Sequence, residues 1–250
     1  MKEYLIFGDS HLESERVVDN SYLLFKQVVE KRKPDNIVCL GDALDFGYIS
    51  RFSDIGSQEG KRLSKDIELF KEEFKFFKKY SKGEVTFLSG NHEDRLLKLL
   101  NAQPVLQGLV SIESVCEELG IKYIPTDKQP YKLFDDLYIT HGLTFAKYAA
   151  GKLADTAGAS IISGHTHRTQ SYVNSYPDGR LIQSYCLGSL TNITEYYERG
   201  KRITGHSNSF GQLLIDETGY WQFNTIMISN DKCVVDKKEY SLINTSSMVS

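Results

Sequence analysis

No run in the 250-residue chain approaches the roughly 20 consecutive apolar residues that a membrane-spanning helix needs. Nor does a basic segment followed by a long apolar stretch open the sequence; Tyr4-Leu5-Ile6-Phe7 is too short for a secretory signal and predicts a first strand. Cysteine is scarce. The four thiols, Cys39, Cys116, Cys186 and Cys233, form no C-x-x-C pair, and Cys39 lies within the apolar run Ile37-Val38-Cys39-Leu40. That pattern predicts reduced, mostly buried thiols in a reducing compartment, and the expected location is the cytoplasm. There is no surplus of positive charge: the net charge of −3 excludes broad, charge-driven binding to nucleic acid but leaves room for a local basic rim. Internal repeats, low-complexity tracts and linkers are also absent. Residues 1–230 are expected to form a single domain and 231–250 a polar C-terminal tail.

The sequence does contain an alternation of short apolar runs and helical patterns. Strands are expected at Tyr4–Phe7, Ile37–Leu40 and Glu84–Leu88. Helices are expected at Arg16–Lys33, which Pro34 stops, at Gly60–Tyr80 with Leu63, Ile67, Phe70, Phe74 and Phe77 on one face, and from Asp94 to Asn101. The second half leans toward strands, with a hairpin around Asp135-Asp136, a helix over Phe145–Ala157, and a strand over Ala159–Ser163. Turns follow at Pro177-Asp178-Gly179 and Thr218-Gly219. Strands alternating with helices imply an α/β layered fold, in which ligands sit beyond the carboxyl ends of strands.

At those predicted strand ends stand five motifs: Asp9-Ser10-His11, Gly41-Asp42-Ala43-Leu44-Asp45, Gly90-Asn91-His92-Glu93, His141-Gly142 and Gly164-His165-Thr166-His167. They hold five of the six histidines. Asp, Asn and His are the donors expected for Mn, Fe, Zn or similar divalent ions. A tight loop at Asp9 and His11 aims an oxygen and a ring nitrogen at one ion. Asp42 is a carboxylate able to bridge two cations. The alternation in His165-Thr166-His167 turns both rings into one cavity, toward different ions. Taken singly, each motif also reads as an ordinary turn, cap or structural histidine; five in this order do not.

On these residues the chain resembles the calcineurin-like metallophosphoesterases, over Asp9 to His167. The resemblance implies a four-layer α/β/β/α sandwich with a binuclear site. By it, Asp9, His11, Asp42 and His167 hold one divalent metal, and Asp42, Asn91, His141 and His165 hold the other. Mn is the first expectation, with Fe, Zn, Ni or Co as alternatives. It further implies in-line attack on phosphorus by a hydroxide generated between two cations about 3.5–4 Å apart. His92 protonates the leaving group and Asp45 orients it. The resemblance to Ser/Thr protein phosphatases is only partial: Phe46 stands where those carry Arg, and Leu143 where they carry Gly. Gly41 to Phe52 and Gly90 to Leu100 look like the small stand-alone members common in bacteriophage genomes.

The expected substrate is a phosphodiester in a nucleotide or nucleic acid. The alternatives are a phosphomonoester of a nucleotide or metabolite, and a non-catalytic scaffold that uses the same fold. Arg51, Arg95, Arg168 and His206 are the candidate substrate contacts, and Tyr196-Tyr197 with Arg199, Lys201 and Arg202 mixes stacking groups with positive charge. The sequence leaves the oligomeric state open.

Overall fold

Alternate residues of the central strands are apolar on both faces, so each strand must be covered twice. The computed structural model describes residues 1–50, 62–103, 105, 108, 111–191 and 205–242, and it meets that demand with two stacked sheets between helices. The first sheet has six strands. β1 (Lys2–Phe7), β2 (Asn36–Cys39), β3 (Val85–Leu88) and β4 (Lys122–Ile124) run parallel, while β10 (Asn208–Ile215) and β11 (Trp221–Ile228) extend the edge antiparallel. In the second sheet, β6 (Leu137–Thr140), β7 (Ser160–Ser163) and β9 (Leu181–Cys186) are parallel, with β5 (Tyr131–Lys132) and β8 (Gln170–Ser175) antiparallel at its edges.

The period-two alternation sorts the core. Leu5, Phe7, Ile37, Cys39, Val85 and Phe87 face a helical layer built from α1 (Asn20–Arg32), α2 (Leu63–Tyr80) and α4 (Ile112–Leu119). Their neighbours Ile6, Val38, Leu40 and Leu88 face Leu137, Ile139 and Ile162 of the other sheet. Beyond that sheet, Ile161 and Cys186 pack on Ala149, Ala150 and Leu153 of α5 (Ala149–Ala157). The result is the four-layer α/β/β/α sandwich. No helix among the described residues is long and apolar enough to cross a membrane. All four cysteines are free and buried.

The structure departs from expectation at three places. α1 starts at Asn20 rather than Arg16 because the Asp19 carboxylate accepts from Ser21 N at 2.7 Å and caps the helix there. α5 starts at Ala149 rather than Phe145, since Thr144 Oγ1 accepts from Ala146 N and turns the chain before the helix begins. Part of the expected polar tail is a hairpin: β12 (Lys232–Val235) pairs antiparallel with β13 (Lys238–Ser241). Its Cys233, Val235 and Tyr240 join the core against α1, a period-two signal hidden among lysines and glutamates.

Candidate metal centre

The five motifs leave the carboxyl ends of β1, β2, β3, β6 and β7, and the stacking of the sheets brings all five to one edge. Five of the seven candidate ligands, Asp9, His11, Asp42, His165 and His167, adopt left-handed backbone with φ between 45° and 71°. Non-glycine residues hold this conformation only where surrounding contacts enforce it. Here the contacts are a backbone ladder, with Asp9 N donating to Gly41 O (2.9 Å), His11 N to Asp42 O (3.0 Å) and Leu12 N to Ala43 O (2.8 Å). Gly90 permits the closest approach, since a Cβ there would stand 2.2 Å from Asp42 Oδ1.

Three groups of donor atoms converge, and each could hold a metal ion: Asp9, His11 and His167; Asp42, His141 and His165; and His11, Asp42 and His92. His11 Nε2 and His167 Nε2 are 3.0 Å apart, and His167 Nε2 is 3.2 Å from Asp9 Oδ1. In the second group His141 Nε2 lies 3.1 Å from His165 Nδ1, 3.3 Å from Asp42 Oδ2 and 3.0 Å from Asn91 Oδ1. His141 Nδ1 is 3.0 Å from Leu40 O, so it donates to that carbonyl and leaves Nε2 to face the cluster. Converging imidazole, carboxylate and amide donors fit a divalent cation; without one, acceptors would crowd acceptors.

Burial and mutual charge set the protonation states. Burial pushes the Asp42 carboxyl up, but the His141 and His92 rings outweigh it and hold it well below the usual carboxylate range. Burial pulls His141 down, yet Asp42 raises it to about 10. Burial, reinforced by neighbouring rings, lowers His11 to about 3 and His165 to about 4.

His92 opens α3 (Glu93–Ala102) beside this cluster. Its Nδ1 is 2.6 Å from Asp45 O and 3.1 Å from Asp45 Oδ1, and its Nε2 faces Asp42 Oδ2 at 3.7 Å. Burial opposes its charge, but Asp42 and then Asp45 raise its pKa. Arg95, one turn on, donates Nη1 to Asp45 O at 2.8 Å and holds Nη2 2.9 Å from His92 Nε2. That last contact requires an Nε2 lone pair, so it fits the neutral ring; the charged ring turns an N–H toward Asp42.

Arg168 lies at the rim beyond His167, in a groove with Phe145 and Lys147. The His206 ring is 5.4 Å from the His167 ring, and burial, then the His167 and Arg168 charges, push it down to about 4. Arg51 and the Tyr196 to Arg202 cluster lie outside the described residues.

Two residues that hold the site carry no role in the sequence reading, although Glu93 closes the third motif. Glu93 is buried and accepts from Asp42 N (2.9 Å), Gly90 N (2.9 Å) and Leu44 N (3.1 Å), tying the second motif to the third. Its position at the head of a helix was the available signal. Gln129 accepts from His141 N at 2.7 Å and donates to Ser89 O at 2.8 Å, bridging the two sheets. Nothing local in the sequence marks it.

With this centre at its strand ends, the chain belongs to the calcineurin-like phosphoesterase family, whose model matches residues 3–169. It is 28% identical over 203 residues to "Gene 54 protein" of Mycobacterium phage D29, covering 74% of this chain and 78% of that protein. Among solved structures it is similar to Vacuolar Protein Sorting 29 from Cryptosporidium parvum, at 13% identity and a TM-score of 0.49, over 96% of this chain and 98% of that one. A dimetal phosphatase from Danio rerio is similar at 10% identity and a TM-score of 0.38, over 96% of each chain.

Proposed function

We propose that the protein is a two-metal phosphoesterase that hydrolyses a phosphodiester of a nucleotide or nucleic acid. The observation that carries this is the meeting of seven donor residues, six of them gathered with Asp42, and His92 directly beside them. Asp9, His11, Asp42 and His167 would hold one cation, and Asp42, Asn91, His141 and His165 the other. Bound there, the cations supply Lewis acidity, offsetting charge on the phosphoryl oxygens and acidifying water.

The protein's own groups do the rest. The charged His92 ring, favoured by Asp42 and Asp45, gives its Nε2 proton to the leaving oxygen. Asp45 fixes the ring through Nδ1, and Arg95 receives the neutral Nε2 once the proton has left. Arg95, on His92, and Arg168, in the adjoining groove, are the cations offered to substrate oxygens. A phosphomonoesterase is the competing assignment, and the wide groove beside the cluster favours the larger diester. Mn²⁺ suits the mixed nitrogen and oxygen donors.

The test compares cleavage of bis(p-nitrophenyl) phosphate and p-nitrophenyl phosphate with Mn²⁺ and after chelation. The expected outcome is metal-dependent cleavage with the diester preferred, abolished by chelator and restored by Mn²⁺. Preference for the monoester would replace the diester assignment. No cleavage of either by protein carrying bound metal would leave the family's scaffold role.

Proton linkage gives an independent check. At neutral pH His11 and His165 are already neutral donors, whereas His141, raised to about 10, carries a proton that a cation must displace. Mn²⁺ affinity of the site that contains His141 should therefore climb about tenfold per pH unit between pH 6.5 and 8, with about one proton released as that site fills. Calorimetric titration in buffers of different ionisation enthalpy measures that release. An affinity independent of pH would show that His141 binds no metal.

A further inference from the structure

A groove of about 1010 Å³ lies beside the metal centre, at the upper end of the size usual for ligand sites. Among the described residues its lining mixes three aromatic rings, Phe145, Tyr148 and Tyr172, with two cations, Lys147 and Arg168, and includes no aspartate or glutamate. Phe145 is 78% exposed and Tyr148 71% exposed, in the loop that enters α5. Large rings left in water on an ordered loop mark a binding surface more often than chance packing.

The loop is held in place. Gln170 donates Nε2 to Lys147 O at 2.8 Å and accepts from Ala150 N at 3.2 Å, clamping the ring-bearing segment to β8. The groove also begins at the metal centre, because the Phe145 ring lies 4.1 Å from the ring of His165. The Nε of Arg168, also in the lining, is buried, with no hydrogen-bond acceptor among the described residues. A buried guanidinium N–H without an acceptor calls for an anionic oxygen from a ligand. The Lys147 ammonium stands 5.3 Å from the Tyr148 ring centre, so a cation and a stacking face are offered together.

We propose that this groove binds single-stranded nucleic acid alongside the scissile phosphate, with bases stacked on Phe145 and Tyr148 and flanking phosphates paired with Arg168 and Lys147. The proposal rests on the phosphodiester assignment of the metal centre and narrows its substrate to an unpaired strand. Two features select that class. Base faces are available to aromatic side chains only when bases are unpaired and unstacked, so exposed rings favour a single strand over a duplex. With a net charge of −3 the protein offers little general attraction for a polyanion, so binding calls for a local strip of this kind.

Two cations also fix how binding responds to salt. Neutralising two phosphates of a single strand gives a log–log salt slope of about −1.4, far shallower than that of a broadly basic protein.

The experiment is fluorescence anisotropy of a labelled 12-nucleotide thymidine strand with the full chain in chelator, where the strand is not cleaved. The single strand is expected to bind at least about tenfold tighter than a duplex of equal length. Tyr148→Ala should weaken it by about tenfold while Tyr148→Phe restores it, and Lys147→Ala should make the salt slope shallower by about 0.7. Both positions are on the surface, and an unchanged melting temperature confirms folding. No binding by the wild-type chain, equal binding of duplex and single strand, or wild-type affinity in Tyr148→Ala would each overturn the proposal. If the chromogenic diester is cleaved while the strand ignores Tyr148, the groove assignment fails and the phosphodiester assignment stands. If the strand binds through Tyr148 and no diester is cleaved, the phosphodiester assignment fails instead.

Discussion

Replacing His92 with asparagine is expected to lower turnover of a diester with a poor leaving group by about 10²–10⁴-fold while leaving the metal content unchanged. The Asn amide can still donate to Asp45 O, the partner that His92 Nδ1 holds at 2.6 Å, so the loop after β2 keeps its anchor to the head of α3. What disappears is an Nε2 proton held near the reacting phosphate and favoured by Asp42 and Asp45. An ester whose leaving group is already stable as an anion needs no proton, so p-nitrophenyl substrates should slow far less than alkyl ones. Elemental analysis of the purified variant separates this role from the alternative that the third donor group allows, in which His92 is itself a ligand with His11 and Asp42. Full activity on an alkyl diester would refute the acid role, and loss of one metal would make His92 a ligand.

Replacing Glu93 with alanine should destabilise the chelated protein by about 3–5 kcal/mol. The carboxylate accepts from three backbone N–H groups, of Asp42, Gly90 and Leu44, in a buried position. Each donor left without a partner costs about 1–3 kcal/mol, and donors sharing one acceptor do not add in full. Burial and the neighbouring Asp42 charge raise Glu93 to about 7, against an ordinary value of 4.5. A folded-state value raised this way means the folded chain binds the proton more tightly. The stabilising contribution is therefore fully present below pH 4.5 and fades as pH rises through about 7. The gap between wild type and Glu93→Ala should accordingly be larger at pH 5 than at pH 8 in urea titrations. Glu93→Gln, which retains one carbonyl acceptor, should fall between the two. A loss below about 1 kcal/mol in Glu93→Ala would show that the two loops hold each other without the carboxylate.

The contrast between His92 and Glu93, adjacent in the chain, illustrates how the sequence and the fold divide the information. His92 stood out because the family resemblance gives proton transfer to the histidine beside the ligand Asn91. Glu93 closes the same motif with no role that residue type suggests, and its importance comes from the loop after β2, which it meets at Leu44 and Asp42 across 49 and 51 residues of chain. Gln129 is the same case across the two sheets. The β12–β13 hairpin escaped for a related reason: its alternation is short and diluted by charge, so only its packing on α1 reveals it. Phe145 and Tyr148 read as the first turn of a helix, and became exposed rings because Thr144 turns the chain ahead of α5.

By itself the sequence determined the alternation of strands and helices, the five loops that bear donors, and the family to which those donors point. Apolar periodicity and side-chain chemistry are local, so they can be read without coordinates. Only the tertiary structure decided which nitrogen meets which oxygen, that Glu93 and Gln129 hold the loops, and that aromatic rings and cations share a groove beside the centre. Those facts are distances between residues far apart in the chain, and they exist only once both sheets have stacked.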